Sequence, residues 1–182
     1  MKKYELTGEV KVKFGVTFKR IRALIDFGNV KKGELGGFIE KEENLSHENN
    51  AWVYDDAEVS GNARVYDDAE VSGNAKVSGD AWVYGNAKVY DDAWVSGNAW
   101  VSGNAEVSGN ADYVLIGRVG SRFGFTTFFR NKNNEIYVSC GCFLGTLAKF
   151  RKKVKETHGT DTKYAKVYQA AADLAEMQIL NK

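Results

Sequence analysis

A six-residue unit repeats ten times without interruption from Ala51 to Asn110. Every unit begins with Ala, carries Val at its third position, and ends with Gly or Asp followed by Asn or Asp. Positions one and three share one side of an extended segment, so Ala and Val are expected to point inward and the variable residues outward. The closing residue types tolerate positive φ or bond their own backbone, and so turn the chain. The repeat therefore predicts a mainly β protein built around a parallel β-helix, with 18 residues in each triangular coil.

Residues that are 18 positions apart are expected to stack, which sorts the outward side chains into three faces. Two faces mix charged and aromatic residues: Trp52, Tyr54, Glu70, Lys88, Tyr90 and Glu106 on the first, and Glu58, Lys76 and Trp94 on the second. The third, which we call the aromatic face, consists of Arg64, Tyr66, Trp82, Tyr84 and Trp100. Exposed aromatic surface is typical of a contact region. Burial against another part of the chain or against a second copy is favoured over a platform for a ligand.

The distribution of charge indicates separate modules. The chain has 25 basic and 24 acidic residues, but residues 51–110 carry 3 basic against 10 acidic, and residues 111–182 carry 12 against 6. We predict an N-terminal β-hairpin and cap over residues 1–38, the β-helix over 39–112, and a small α+β module over 113–182. Within the first degenerate coils, Leu45 and His47 fall in the places of Ala and Val, and Ile39 falls one unit earlier. His47 is therefore interpreted as a core histidine rather than as a metal ligand.

The C-terminal module is predicted to contain two or three strands, with a turn at Asn131 to Asn134, followed by two helices. Thr146 and Gly159 are suitable caps for the first helix. The second helix is expected to start near Asp161 and to bury one stripe of side chains. That stripe comprises Tyr164, Val167 or Tyr168, Ala171, Leu174 and Ala175.

A glycine loop in this module is the main candidate for a small-molecule site. The segment from Val119 to Gly124 combines glycines with a hydroxyl and a guanidinium, which are elements of a phosphate cradle, although a plain turn between strands is the commoner origin of such glycines. The candidate ligand-binding residues are Ser121, Arg122, Thr126, Thr127 and Arg130. Cys140 and Cys142 are interpreted as buried small residues, because the sequence lacks further ligands at metal-binding spacing.

Several kinds of chemistry find no support in the sequence. The acidic corners at Asp55, Asp67 and Asp91 are not adjacent in the expected stack, which favours solvated turns over a calcium site. The ten units contain no histidine. We predict no catalytic residue, no metal and no cofactor. The N-terminus lacks the apolar stretch of a signal peptide, and no segment has the length of a membrane span, so a cytoplasmic location is expected.

These segments together resemble a family of uncharacterised bacterial, prophage and phage proteins with hexapeptide-like β-helix repeats. The resemblance rests on RIRALIDFG, on VKKGELGGFIEKEENLSHENNAWVYDDA, on the AxVxGN units, and on GSRFGFTTFF and VSCGCFLGTL in the tail. The repeat is also similar to the left-handed β-helices of hexapeptide-repeat acyltransferases, which implies the same handedness and side-by-side trimers. Those enzymes use a catalytic histidine, often beside an inserted loop, and the ten units contain neither.

We therefore expect a non-catalytic binding protein of phage or prophage type. It would present the aromatic face and the C-terminal module to a host protein or to a small phosphorylated ligand, as a host-defence antagonist or a sequestering protein in the host cytoplasm. A homo-oligomer is expected, with a trimer favoured, and neither a membrane nor nucleic acid is expected as a partner. Two alternatives stay open: an acyltransferase-like enzyme, and a structural or nucleic-acid-mimicking protein.

Overall fold

The computed structural model describes residues 1–180 and begins with an antiparallel hairpin. Strands β1 (Tyr4–Lys13) and β2 (Val16–Ala23) form this hairpin, and β3 (Leu35–Ile39) joins β2 to the first coil of the β-helix. The turn between β1 and β2 uses Phe14 and Gly15, both with positive φ. The hairpin thus extends one sheet of the β-helix and covers its first edge.

The repeat forms ten strands of two residues each. They are β4 (Trp52–Val53), β5 (Glu58–Val59), β6 (Arg64–Val65), β7 (Glu70–Val71), β8 (Lys76–Val77), β9 (Trp82–Val83), β10 (Lys88–Val89), β11 (Trp94–Val95), β12 (Trp100–Val101) and β13 (Glu106–Val107). Parallel pairing joins them in the orders β3-β5-β8-β11, β4-β7-β10-β13 and β6-β9-β12. Each pairing within the ten strands joins residues 18 apart, which confirms the predicted parallel β-helix and its three faces.

The interior of the β-helix is made of the repeated Ala and Val side chains, and all of them are buried. Backbone N–H groups donate to carbonyls of the next coil, for example from Trp82 to Ala99 at 2.8 Å. This ladder satisfies the polar backbone along the stack while the small side chains fill a narrow core. The outward residues are therefore held in rows by the backbone itself.

The register of the first coil differs from the expectation. Ile39 pairs with Val59 and Leu45 with Val65, a spacing of 20 residues instead of 18. Leu45 therefore takes a Val place, and the prediction that His47 points into the core was wrong. A 3₁₀ turn at Glu42–Asn44 lies in this coil. His47 is half-buried and its ring stacks on that of Tyr4, 4.3 Å between centroids.

The C-terminal module forms a four-stranded antiparallel sheet with two helices. Its strands are β14 (Tyr113–Val119), β15 (Gly124–Arg130), β16 (Ile136–Cys140) and β17 (Phe143–Thr146), paired in chain order, and its helices are α1 (Leu147–His158) and α2 (Lys163–Leu180). Thr146 and Gly159 cap α1 as predicted, and the turn at Asn131 to Asn134 is confirmed. In α2, Tyr168, Ala171 and Ala175 are buried, but placing Tyr164 and Leu174 on the inward stripe was wrong, because both are exposed.

Candidate functional site

The aromatic face forms two stacked columns of side chains. In the first, the Arg64 guanidinium lies 5.9 Å from the centre of the Trp82 ring, and Trp82 stacks on Trp100 at 5.4 Å with an angle of 13° between the rings. In the second, Tyr66 stacks on Tyr84 at 5.0 Å and 5°. The edge of one column meets the other where Tyr66 contacts Trp82 at 5.7 Å. The five residues therefore form one continuous surface, as the period of 18 predicts.

This surface stays accessible in the folded chain. Arg64 and Trp100 are exposed, and Tyr66, Trp82 and Tyr84 are half-buried. Burial raises the pKa of Tyr66 to about 12, with Tyr84 and Asp67 adding to the effect, so its hydroxyl is neutral at physiological pH. The face thus carries one positive charge, at its Arg64 end, on an otherwise neutral aromatic surface.

A groove of about 520 Å³ opens beside the Arg64 end of the aromatic face. Glu42, Glu43 and His47 from the first coil line one side, and Arg64, Tyr66 and Trp82 line the other. The pKa of His47 is lowered mainly by burial, and its Nδ1 accepts a hydrogen bond from the Lys3 backbone N–H at 3.2 Å. A neutral histidine held in this way is a structural link between the first coil and the hairpin.

The five candidate ligand-binding residues do not converge on one site. Thr126 and Thr127 are buried neighbours on β15, so their side chains point to opposite sides of the sheet. Thr126 Oγ1 donates to Cys140 Sγ at 3.2 Å, and Thr127 Oγ1 accepts from the Trp100 backbone N–H at 3.0 Å. Thr127 therefore fixes the module to the last coil of the aromatic face, whereas Thr126 faces the helices.

Arg130 is committed to the structure of the module. Its Nε donates to Asp112 Oδ1 at 2.9 Å, and its other nitrogens donate to the Asn134 side chain and to the Ile179 carbonyl. Asp112 is buried and also accepts from the backbone N–H of Ser108. Arg130 thus ties the last coil to the end of α2, and only Ser121 and Arg122 of the five candidates remain exposed.

Ser121 and Arg122 line a cavity of about 370 Å³. The sequence did not predict which other residues would line it. We call it the module cavity. It lies between the β14–β15 loop, the turn joining β16 to β17, and one side of α1 and α2. Its further lining includes Phe125, Cys140, Cys142, Phe143, Phe150, Lys153, His158 and Tyr168. The interpretation of Cys142 as buried was wrong, since it is exposed in the turn, and Cys140 is half-buried.

Tyr168 and Gly120 hold the loop over this cavity. A side chain at Gly120 would overlap the Tyr168 hydroxyl, so the loop approaches the ring as closely as glycine permits. Burial raises the pKa of Tyr168 to about 12, and the neighbouring Cys140 thiol adds to this. The His158 ring stacks on Tyr168, 5.7 Å between centroids and 26° between planes. The cavity therefore has a fixed aromatic wall.

The acidic corners are used within the stack. Asp55 Oδ2 accepts from the Gly73 N–H at 3.0 Å, and Asp67 Oδ2 accepts from the Gly85 N–H at 3.2 Å.

In the described part of the chain, no group of three or more His, Cys, Asp or Glu side chains is arranged to hold a metal ion. No helix within residues 1–180 combines the length and the apolar character needed to cross a membrane.

Comparison with known proteins finds a likeness over part of the chain. The chain is similar to a protein described as "Uncharacterized acetyltransferase YdcK" from Escherichia coli (strain K12), with 34% identity over 68 residues. This likeness is consistent with the hexapeptide-repeat β-helix that the strand pairings show. The match covers 33% of this chain and 21% of the relative, so the chain spans about a fifth of that protein's length. No protein-family profile matches the chain.

Proposed function

We propose that this chain is a non-catalytic binding protein, of the phage or prophage type that its sequence resembles, whose β-helix holds the aromatic face as a contact surface. The observation that carries the proposal is the double column of rings, which the rest of residues 1–180 leaves accessible. Monomeric proteins rarely expose large continuous apolar patches without a partner for them. The C-terminal module then adds a second surface at the end of the same spine.

The stacking within the columns favours a protein partner over a flat ligand. Trp82 is covered by Arg64 on one side and by Trp100 on the other, so its ring presents mainly an edge to solvent. Tyr66 and Tyr84 cover one face of each other, and Tyr66 also meets Trp82 edge to face. A row of ring edges matches the side chains of another protein surface better than it matches a planar ring, which needs a free face.

The partner that we propose first is a second and a third copy of this chain. The columns carry a single charge, so copies of the face can approach each other with little repulsion. A stable interface needs about 800 Å² from each partner, which is more than five side chains provide. The aromatic face is therefore the centre of the interface, and the polar groove with Glu42 and Glu43 lies at its rim.

Two identical repeat units provide a matched test. The units AWVSGN that contain Trp94 and Trp100 have the same sequence, but Trp100 belongs to the aromatic face and Trp94 to the second face. Trp94 is 52% exposed and Trp100 38%, so neither replacement opens the core. We expect light scattering to show a trimer for the unaltered chain and for Trp94→Ser. Trp100→Ser, alone or with Trp82→Ser, is expected to weaken assembly by about 2 kcal/mol per tryptophan.

Two outcomes would count against the proposal. A chain that remains monomeric at all concentrations up to about 100 μM, where even weak biological interfaces form, would exclude self-association through this face. Equal dissociation of Trp94→Ser and Trp100→Ser would show that the second face contributes as much as the aromatic face. In the first case, recovery of a host protein by the unaltered chain but not by Trp100→Ser would keep the binding function and change its partner.

Acyl transfer is the second candidate function, and the likeness to a protein described as an acetyltransferase favours it. The repeat supplies no histidine for such chemistry, whereas His158 and Cys142 line the same cavity in the module. Release of free thiol from acetyl-coenzyme A by the purified chain, lost in His158→Gln, would place acyl transfer ahead of the binding function.

A further inference from the structure

The module cavity combines a basic rim with an aromatic interior. Its charged lining residues, within residues 1–180, are Arg122 and Lys153, and His158 adds an imidazole. None of the carboxylates in the described chain lines it. Because the positive potentials of neighbouring cations add in a small cleft, this rim favours the binding of an anion. The guanidinium and the ammonium are also the two groups that proteins use most for phosphate.

The two rim cations lack acidic partners, unlike several other basic residues of the module. Arg130 pairs with Asp112, and Arg151 on α1 pairs with Asp173 and Glu176 on α2. Neither Arg122 nor Lys153 forms an ion pair with any of residues 1–180. Their charges are thus free to bind an external anion without breaking an internal contact.

The interior favours a planar, apolar body attached to that anion. Phe143 and Phe150 form one part of the wall, with ring centroids 5.5 Å apart, and Tyr168 stacked with His158 forms another. Phe125, which also lines the cavity, is exposed and forms no ring contact with the other aromatic residues among 1–180, so it keeps a face on which a flat heteroaromatic group can stack. The volume of about 370 Å³ falls within the range of ligand-binding pockets.

We propose that the module cavity binds a nucleoside 5′-monophosphate, with the phosphate at Ser121, Arg122 and Lys153 and the base against the aromatic wall. Ser121 supplies a hydroxyl donor in the exposed loop, and Gly120 lets that loop lie against Tyr168. Thr126 supports the site from below by its hydrogen bond to Cys140, without reaching the ligand itself. This site is separate from the aromatic face and does not depend on self-association.

Calorimetry with the full chain tests the proposal. The probes are the four common ribonucleoside 5′-monophosphates, the corresponding nucleosides, and inorganic phosphate. We expect at least one monophosphate to bind with a dissociation constant below about 1 mM, and its nucleoside and inorganic phosphate to bind at least about tenfold more weakly. Failure of all four monophosphates to bind below that limit overturns the proposal. Equal binding of the nucleoside or of inorganic phosphate overturns it as well.

Charge-neutralising variants locate the site. Arg122→Gln and Lys153→Gln are each expected to weaken binding by about tenfold. The matched control is Lys155→Gln, which removes the same charge from α1 at a residue that lines a different cavity, between α1 and α2. Binding through the proposed site predicts no change in the control. An equal loss in all three variants would show a non-specific charge effect and contradict the proposal.

Alkylation of Cys142 gives a second measurement on the unaltered chain. This thiol is exposed and lines the module cavity, so its reaction with iodoacetamide can be followed by mass spectrometry. Saturation with the tightest monophosphate is expected to slow the reaction by at least about fivefold, because a bound ligand covers the approach to the sulfur. An unchanged rate at saturation would mean that the monophosphate binds elsewhere, which overturns the assignment to this cavity.

Discussion

The stacked corners of the β-helix allow a sharp test of how the coils fit together. Gly79 turns one corner with φ of +70°, and a Cβ there would lie 2.9 Å from the Gly97 backbone nitrogen in the next coil. Gly103 turns an equivalent corner with φ of +66°, but a Cβ there would meet nothing within 4 Å. Gly79→Ala and Gly103→Ala therefore impose the same left-handed backbone on alanine. Only the first adds an overlap with the neighbouring coil.

A third variant separates the overlap from the hydrogen bonding of the corner. Asp55 and Asp67 hold the same corner position with φ of +54° and +58°, and each carboxylate accepts from the glycine N–H of the next coil. Gly79→Asp is expected to form the same bond to Gly97. We expect a loss of about 1 kcal/mol for Gly103→Ala and about 3 kcal/mol for Gly79→Ala, with Gly79→Asp about 1 kcal/mol more stable than Gly79→Ala.

The assay is urea-induced unfolding followed by circular dichroism, at one fixed protein concentration so that assembly does not alter the comparison. Equal losses for Gly79→Ala and Gly103→Ala would show that the coils shift apart at no cost, and would refute the close-stacking argument. If Gly79→Asp were less stable than Gly79→Ala, the carboxylate would not be compensating for the strain. That result would contradict the stabilising role that we assign to the carboxylates of Asp55 and Asp67.

Two further predictions concern buried charges. Asp112→Asn removes the charge opposite Arg130 and is expected to destabilise the chain by about 3 kcal/mol in urea unfolding. The control is Asp80→Asn at an exposed site, which is expected to have little effect. A loss below about 1 kcal/mol for Asp112→Asn would contradict the importance of the Asp112–Arg130 pair. Burial lowers the pKa of Lys3 to about 8, so the unfolded chain holds this proton to higher pH and stability is expected to rise by about 1 kcal/mol between pH 8 and 9. Lys3→Met should abolish the rise, and a chain whose stability falls over this range would contradict it. Near pH 10 and above the trend reverses, because burial also raises the pKa values of Tyr54, Tyr66 and Tyr168 to about 12, and these side chains stay protonated where the tyrosines of the unfolded chain ionise.

The aromatic face was predictable because the repeat converts sequence distance into spatial distance. Once 18 residues make a coil, Arg64, Trp82 and Trp100 must stack, and the structure places them so. The first coil was less predictable, because it holds two extra residues. Asn44 is buried there and donates to the carbonyls of Gly61 and Ala63, which replaces the regular contact between coils. When a side chain replaces the backbone in the hydrogen bonds between coils, the sequence shows no periodic pattern. Counting back in units of six residues therefore assigned His47 to an inward position that it does not occupy.

The module cavity shows why the candidate site was only partly predictable. The glycine loop directed attention to Ser121 and Arg122, and strand alternation alone already indicates that Thr126 and Thr127 cannot share one face. The remaining contributors come from three strands, a β-turn and two helices, and their meeting depends on how α1 and α2 pack on the sheet. Arg130 had the right chemistry for an anion, but its charge is neutralised by Asp112 at the end of the repeat. A cation in a sequence is therefore a binding candidate only after its carboxylate partner has been sought, and in this module Arg122 and Lys153 meet that condition whereas Arg130 and Arg151 do not.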